Sequence, residues 1–197
     1  QDYGNHELLI SEQEKFKDLI LVDFLDSYQN LSIKTFSLLT WKLAYCPEAE
    51  YLLKVDDDMI VDLQRLDYWI KNINLFKSKN GIIFGKILRR IKPVRIPNHR
   101  WFVSRTEFPG STFPDYCTGE VQLFSLRAVP AVLSSAAKSN FVHLEDVLFS
   151  GILAQEAKVK RIDWWKHFGN QNQLESRSWM KDCDHDGVPY LTFPWLP

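Results

Sequence analysis

Short apolar runs alternate with segments of helical periodicity along most of this chain, and this alternation constrains the fold more than any other feature. Apolar runs with the length of buried strands lie at residues 19–23, 51–55, 82–85, 121–126 and 159–162. Helical spacing predicts helices over residues 8–18, 30–46, 62–76, 129–138 and 143–158. Strands and helices that alternate at this length predict a three-layer α/β domain with a mostly parallel central sheet.

The composition suits one globular domain of 197 residues, and the net charge of −1 leaves no large excess of lysine and arginine. We therefore expect no nucleic-acid partner. No run approaches the ~18 apolar residues of a membrane span. The chain opens at Gln1 without an initiator methionine or a signal-peptide pattern, so we expect that its natural start lies upstream.

The cysteines Cys46, Cys117 and Cys183 are far apart and form no CxxC pair, which argues against structural zinc. One disulfide with a leftover thiol is compatible with this spacing. The sequence does not determine which two cysteines would pair.

Three consecutive aspartates, Asp56, Asp57 and Asp58, directly follow the apolar run at residues 51–55. In open α/β sheets, ligands bind at the carboxyl ends of strands. A hard divalent cation prefers carboxylate oxygens and would relieve the repulsion among the three side chains. The alternative is a solvated acidic turn that caps the next helix, which explains one aspartate but not three. The trio therefore predicts a site for a metal ion and a diphosphate.

Two further carboxylates, Glu145 and Asp146, stand at the start of a predicted apolar helix. Acidic residues are favoured in a first turn by the helix dipole, so capping alone is a serious alternative. The same dipole keeps a carboxylate ionised, as a general base requires. The pair is therefore a candidate for acid–base chemistry.

Residues 93–116 lose the periodic pattern and are rich in proline and aromatic residues, which predicts a long ordered loop of the kind that carries function. The loop closes in the segment FPDYCTG at residues 113–119, which alone is only a turn that ends in glycine. With Trp101 upstream, Tyr116 and Gly119 are candidates for the wall of a ligand cleft. The alternative is that the aromatic rings simply belong to the core.

Four blocks, in order, resemble the beta-1,3-galactosyltransferase family, which also contains beta-1,3-N-acetylglucosaminyltransferases and, more distantly, Fringe. The first is DFLDSYQNLSIKT at residues 23–35, which is similar to the family signature DFxDSYxNLTLKT. The second is WKLAYC at residues 41–46, leading into KVDDD at residues 54–58. The third and fourth are FPDYCTG and then EDV at residues 145–147, followed by Gly151.

This resemblance implies a GT-A fold and a type II Golgi membrane protein whose lumenal domain uses a UDP-sugar and Mn²⁺ (or Mg²⁺). The donor would be UDP-galactose or UDP-N-acetylglucosamine, and the acceptor a glycan on a glycoprotein or glycolipid. By the same resemblance, Asp58 would be the main metal ligand, with Asp56 contributing on the nucleotide side. Lys54 and Asp57 belong to the same nucleotide-binding block. Asp146 would be the catalytic base, with Glu145 beside it in the acceptor site.

The chain also departs from the family pattern. An RxxIRxTW block that precedes the first signature in family members does not occur here, so we expect no measurable transfer by these 197 residues alone. A histidine near the C-terminus completes the metal site in the family, and Pro194 stands at the comparable position. His185 and His167 are candidate substitutes. Residues 1–166 are accordingly interpreted as a partial catalytic domain, and residues 167–197 as a polar tail that either completes it or diverges.

Two smaller motifs have different weights. The sequon Asn30-Leu31-Ser32 would be glycosylated in the secretory pathway. The segment DCDHDG at residues 182–187 matches the start of an EF-hand loop, but Phe193 occupies the position of the bidentate glutamate, so we expect no calcium site.

Three functions compete at this point. The first is an active hexosyltransferase that forms a beta-1,3 linkage, and the second is a catalytically silent relative that binds a glycan or a partner enzyme. The third, a metal-dependent phosphohydrolase built on the acidic strand end, is disfavoured by the ordered family blocks.

Overall fold

The computed structural model describes residues 3–72, 79–169 and 190–194. The predicted alternation of strands and helices is present from Leu31 to Asp163, apart from the long loop. The helices are α1 (Tyr3–Phe16), α2 (Leu31–Tyr45), α3 (Leu63–Asn72), α4 (Ala128–Ala136), a π-helical segment (Val147–Leu153) and α5 (Ala154–Glu156). The strands are β1 (Tyr51–Val55), β2 (Met59–Val61), β3 (Ile82–Gly85), β4 (Ile87–Leu88), β5 (Tyr116–Cys117), β6 (Val121–Ser125), β7 (Lys160–Asp163) and β8 (Thr192–Pro194). Short 3₁₀ turns occupy Tyr28–Asn30 and Trp165–His167.

Four strands form the main sheet in the order β1-β6-β3-β7. β6 pairs antiparallel with both β1 and β3, whereas β3 and β7 pair in parallel. Three of the four strands therefore run in one direction, as predicted, but the reversed strand β6 lies between β1 and β3. Two of the three strand pairings are consequently antiparallel, which periodicity alone did not reveal because a buried strand has the same apolar pattern in either direction.

Each face of this sheet packs against helices. On one face, Leu39 of α2 and Val129 of α4 share a core with Ile83 and Phe124 of the sheet. On the other face, Leu66 of α3 packs with Phe84 and Leu123, because side chains alternate between faces along a strand. The described residues thus form the three layers that the sequence predicts.

The strand predicted at residues 19–23 is wrong. These residues adopt no regular structure, and Ile20, Leu21 and Val22 are exposed. A strand needs neighbours for its backbone groups, and no described strand pairs with this segment. An apolar run has the composition of a buried strand, but the run alone does not determine whether another strand lies beside it to form hydrogen bonds.

Other predicted elements differ only at their ends. The helix expected over residues 62–76 is described as Leu63–Asn72, and residues 73–78 lie outside the described part of the chain. The helix expected over 143–158 begins at Glu145 and continues as the π-helical segment. The segment at residues 93–116 is a loop, as predicted, apart from single bridge pairing between Val94 and Phe102 and the first residue of β5.

The end of the described chain returns to the acidic trio. β8 pairs antiparallel with β2, and in this register Pro194 lies opposite Met59, the residue after Asp58. A strand from the C-terminal region therefore runs beside the turn that carries the three aspartates.

Two remaining expectations concern covalent and membrane features. Cys46 and Cys117 are both free thiols, and Cys183 lies outside the described residues, as does the segment at 182–187. Among the described helices, none has the length and apolar character needed to span a bilayer.

Candidate active site

The candidate residues meet at one edge of the main sheet. β1, β3 and β7 all end at this edge, whereas β6 begins there, with Val121 opposite Val55. The backbone N–H of Asp56 donates to the carbonyl of Glu120 at 3.0 Å, so the acidic trio emerges beside the residues that follow β5. This is the carboxyl edge at which α/β sheets bind ligands.

A cleft of about 430 Å³ opens at this edge. Its wall includes Asp56 from the trio and both Glu145 and Asp146 from the start of the helical segment. The three proposed cleft residues also line it: Trp101, Tyr116 and Gly119. The side chains of Lys54, Asp57 and Asp58 do not line this cleft, so the structure brings together six of the nine residues singled out for the site.

Lys54 is the electrostatic centre beneath the cleft. Its Nζ lies 2.9 Å from Oδ1 of Asp56 and 3.1 Å from Oε1 of Glu145, and it donates to the carbonyl of Gly119 at 2.8 Å. Burial works to lower the pKa of this lysine, but the charges of Glu145 and Asp56 outweigh burial and raise its pKa above the ordinary value. Lys54 therefore stays charged and joins three separate segments of the site.

Glu145 is almost fully buried, with a side chain 8% exposed. Burial raises its pKa to about 7, because the favourable charge of Lys54 only partly offsets the loss of hydration and the repulsion from Asp146. A side chain at Gly119 would collide with this carboxylate, since a Cβ there would lie 2.5 Å from its Oε1. A side chain at position 119 would therefore displace the carboxylate of Glu145 from its present place.

Asp146 is half-buried and faces the cleft. Its Oδ1 accepts a hydrogen bond from the backbone N–H of Val147 at 2.7 Å. Burial raises the pKa of Asp146 above its ordinary value, and this N–H bond and the charge of Lys54 only partly offset the effect. Burial, together with the nearby carboxylate of Asp146, also raises the pKa of Tyr116 to about 12, so this phenol stays neutral.

A buried serine fixes the helical segment against the end of the long loop. The Oγ of Ser150 accepts from the N–H of Cys117 at 2.9 Å and lies 2.7 Å from the carbonyl of Asp146. The guanidinium of Arg161 donates to the carbonyl of Gly151 at 3.0 Å. The π-helical turn that follows Asp146 leaves carbonyls available for such contacts, and turns of this kind are common at functional sites.

The first family block also supports the site. Ser32 and Thr35 lie on the buried face of α2, where the Oγ of Ser32 donates to the carbonyl of Val142 at 2.8 Å. The Oγ1 of Thr35 lies 3.5 Å from Oε2 of Glu145, a long contact. These two side chains connect α2 to the segment from Val142 to Glu145, which precedes Asp146. Sequence reasoning found the block but missed this role, because the contacts join residues far apart in the chain.

Arg95 organises the long loop and was also missed. Its guanidinium donates to the carbonyls of Val103, Phe108 and Gly110 at 2.7–2.8 Å. One side chain thereby ties together the loop that supplies Trp101 and Tyr116. The only sequence signal was an arginine inside a segment without periodicity.

The proposed metal ligands are accessible. Asp56, Asp57 and Asp58 are all exposed, and Asp57 and Asp58 form no ion pair within the described residues. No group of three or more histidine, cysteine, aspartate or glutamate side chains is arranged to hold a metal in that part of the chain. Two carboxylates still fit a hard cation that brings phosphate oxygens with it, which is how Mg²⁺ is commonly bound.

Of the two candidate substitutes for the family histidine, the described one, His167, does not join this group. His167 is buried in an aromatic cluster with Trp69 and Trp164, on the face of the sheet covered by α3. His185 lies outside the described residues.

The sequon residue Asn30 is half-buried, and its side-chain amide donates to the carbonyl of Leu25 at 2.8 Å.

Comparison with known proteins identifies the family of this chain. A family model described as Galactosyltransferase matches residues 1–164. The chain belongs to the galactosyltransferase family. This confirms the resemblance drawn from the four blocks, and the layered α/β fold is compatible with the GT-A-like architecture that the resemblance implies.

Named relatives within the galactosyltransferase family give the extent of the match. The chain is 33% identical over 150 residues to "Beta-1,3-galactosyltransferase 5" of Mus musculus, covering 76% of this chain and 47% of that protein. The same-named protein of Pan paniscus is 31% identical over 150 residues, covering 76% and 48%. "Beta-1,3-galactosyltransferase 1" of Homo sapiens is 29% identical over 142 residues, covering 72% and 43%. The matched region thus spans less than half the length of each of these relatives.

Proposed function

We propose that this protein is a hexosyltransferase that transfers galactose or N-acetylglucosamine from a UDP-sugar to a glycan acceptor, forming a beta-1,3 linkage. The acceptor would be carried by a glycoprotein or a glycolipid. The names of its relatives and its membership of the galactosyltransferase family support transfer of galactose in the first place. We further propose that it acts in the Golgi lumen as a membrane-anchored enzyme, where Asn30 would carry a glycan.

One observation carries the proposal. Asp56, at the end of β1, and Asp146, at the start of the helical segment, line the same cleft. A transferase of this kind needs a donor-binding group and a base on one cavity, because both substrates must meet there. Lys54 connects the two sides through its contacts with Asp56 and Glu145.

The reaction that suits this arrangement is a single inverting displacement. A carboxylate oxygen of Asp146 accepts the proton of an acceptor hydroxyl, whose oxygen attacks the anomeric carbon as UDP departs. Tyr116 forms part of the acceptor wall, and burial together with the nearby charge of Asp146 raises the pKa of its phenol. Trp101 is exposed on the same wall and offers a ring face to the apolar side of a sugar.

Asp58 and Asp56 would hold the divalent cation, Mn²⁺ or Mg²⁺, together with oxygens of the donor diphosphate. When bound, the cation would offset the negative charge that develops on the leaving UDP. Asp57, one residue away, adds negative potential at the same turn. Lys54 keeps the carboxylate of Asp56 oriented and limits repulsion between the two acidic segments.

The test is a transfer assay on the protein in the longest form that its gene encodes. Purified protein is incubated with UDP-galactose or UDP-N-acetylglucosamine, Mn²⁺ and a panel of glycan acceptors, and products are identified by mass and linkage analysis. We expect one new hexose or N-acetylhexosamine in beta-1,3 linkage, formed about 10²–10⁴-fold more slowly by the Asp146→Asn variant. Absence of transfer from both donors across the panel would overturn the proposal.

A second candidate function is a catalytically silent relative that binds a glycan or a partner enzyme. The observation that favours it is the register of β8, which places Pro194 opposite Met59, beside the turn where the resemblance leads us to expect a metal-binding histidine. A protein that binds UDP only in a metal-independent way, and transfers no sugar, would fit this candidate.

A further inference from the structure

A second cleft, of about 630 Å³, adjoins the first one. Tyr28, Arg100 and His143 line both clefts, so the two lie side by side. The remaining walls of the second cleft come from the turn at Tyr28 and from the loop between Asn98 and Glu107. Asp56 lines only the first cleft. The second cleft therefore extends from the active site without including the acidic trio, on which the donor is proposed to bind.

Arg100 lines both clefts and makes no ion pair with a described carboxylate. Its guanidinium carbon lies over the Tyr28 ring, 4.5 Å from the ring centroid, in a cation–π contact. Within the described residues, no carboxylate pairs with it. A contact of this kind orients the guanidinium and leaves its N–H groups available to donate to a ligand.

The one carboxylate in the second cleft is already committed elsewhere. Oε1 of Glu107 lies 2.8 Å from Nδ1 of His143, and Oε2 accepts from the N–H and the hydroxyl of Ser104 at 3.0 and 3.1 Å. Burial works to raise the pKa of Glu107, but these hydrogen bonds outweigh it and hold the pKa below its ordinary value. Glu107 is thus an ionised group with both oxygens occupied, and it does not neutralise Arg100.

The loop that presents Arg100 is exposed but is tied to its neighbours by backbone hydrogen bonds. Asn98 takes a left-handed conformation (φ 66°), which asparagine tolerates better than most residues. The N–H of Phe102 then donates to the carbonyl of His99 at 2.9 Å, and the N–H of Val103 to that of Val94 at 3.0 Å. This turn places Arg100 next to Trp101 at the mouth of the first cleft.

We propose that the second cleft is an acceptor subsite for an acidic sugar, a uronate or a sulfated hexose, whose anionic group binds the guanidinium of Arg100. The inference rests on the proposed function for its assignment to the acceptor side. Recognition of a planar carboxylate or a sulfate by a pre-oriented guanidinium is the chemistry that arginine provides best. The sugar bound here would lie next to the one whose hydroxyl is directed at Asp146.

The test measures direct binding, so that it does not depend on turnover. Galacturonate, galactose 6-sulfate and galactose are titrated into the protein and followed by ligand-observed NMR, and UDP with Mn²⁺ is titrated separately. We expect both acidic sugars to bind more tightly than galactose. Arg100→Ala should weaken the binding of the acidic sugars by about tenfold, the order expected for a hydrogen bond to a charged group, and leave UDP binding unchanged.

Two variants make the comparison specific. Arg105→Ala removes an exposed arginine from the same loop that lines neither cleft, so it should change neither sugar nor UDP binding. Arg100→Lys keeps the charge but loses the planar fork, and should retain part of the affinity for the acidic sugars. The thermal unfolding midpoints of all three variants should match, because both arginines are exposed.

The outcomes separate this inference from the proposed function. Equal affinity for galactose and galacturonate would overturn the subsite inference, because the cleft would then recognise the hydroxyl groups of the sugar and not its charge. A loss of UDP affinity in Arg100→Ala would also overturn it, because Arg100 would then contact the donor diphosphate. Acidic-sugar binding that depends on Arg100 in a protein that does not bind UDP would support the subsite while removing the proposed donor.

Discussion

Nζ of Lys54 lies 3.1 Å from Oε1 of Glu145, and this pair joins the end of β1 to the start of the segment that carries Asp146. Both side chains are largely buried, at 13% and 8% exposure. Such a pair gains little over an apolar pair of the same shape, but breaking it from one side leaves an unpaired buried charge. The Lys54–Glu145 pair therefore fixes the geometry of the site more than it adds to stability.

Replacing Lys54 by methionine should destabilise the protein strongly. The methionine fills the space of the aliphatic stem but leaves Glu145 without its cation, at a cost of about 3 kcal/mol in the free energy of unfolding at about pH 9, where Glu145 is ionised. Chemical denaturation followed by tryptophan fluorescence measures this. Lys34→Met is the matched control, because it breaks an exposed pair with Asp26 and should cost less than about 1 kcal/mol. Equal losses in the two variants would contradict the role given to Lys54.

The raised pKa of Glu145 predicts a pH dependence of stability. Its carboxyl has a pKa of about 7 in the folded state, above its ordinary value of 4.5. Between these two values the folded state binds more protons than the unfolded state, so stability falls as pH rises through this range. Glu145→Gln cannot ionise and should remove this contribution. The variant should therefore gain thermal stability relative to wild type between pH 5 and about pH 8.

The control for that measurement is Glu156→Gln, on α5, whose side chain is exposed. Its difference from wild type should stay constant across the same pH range. A difference for Glu145→Gln that is also constant would mean that Glu145 is ionised throughout.

Much of this site could be predicted from the sequence, for a specific physical reason. The acidic trio follows an apolar strand, and in a layered α/β domain that position is an edge where ligands bind. That Asp146 belongs to the same site was implied by the resemblance to the beta-1,3-galactosyltransferase family and not by the order of the elements. The family blocks then indicated which carboxylates to compare.

What the sequence did not predict depends on contacts between distant residues. The apolar run at residues 19–23 looks like a strand, but pairing is a property of the assembled sheet and not of the run. The bridge from Lys54 to Glu145 and the three carbonyl contacts of Arg95 have no periodic signature. The reversed direction of β6 was missed for the same reason, because strand direction depends on the connections between strands.

The acidic trio predicts different effects for neighbouring aspartates. Asp58→Ala should abolish Mn²⁺-dependent binding of a UDP-sugar and leave the fold intact, because Asp58 is exposed and makes no ion pair within the described residues. Calorimetric titration of UDP-galactose with Mn²⁺, and again with a chelator, measures the effect. Asp57→Ala is the matched control, since it removes the same charge one residue away, and should weaken binding only modestly. Undiminished binding by Asp58→Ala would remove Asp58 as a ligand.

In the longest form of the protein that its gene encodes, Asp146→Asn should lower turnover by about 10²–10⁴, the usual contribution of a general base, with little change in UDP affinity. The amide keeps the size and the contact with the N–H of Val147 but cannot accept the proton. Because burial raises the pKa of Asp146, kcat/KM of the wild type should fall on acidification at a higher pH than for an ordinary aspartate. Transfer assays from pH 4 to 8 with a matched Asp115→Asn control measure both effects. Unchanged turnover would assign the base to another residue, with Glu145 the next to replace, whereas loss of UDP binding would give Asp146 a structural or metal-binding role.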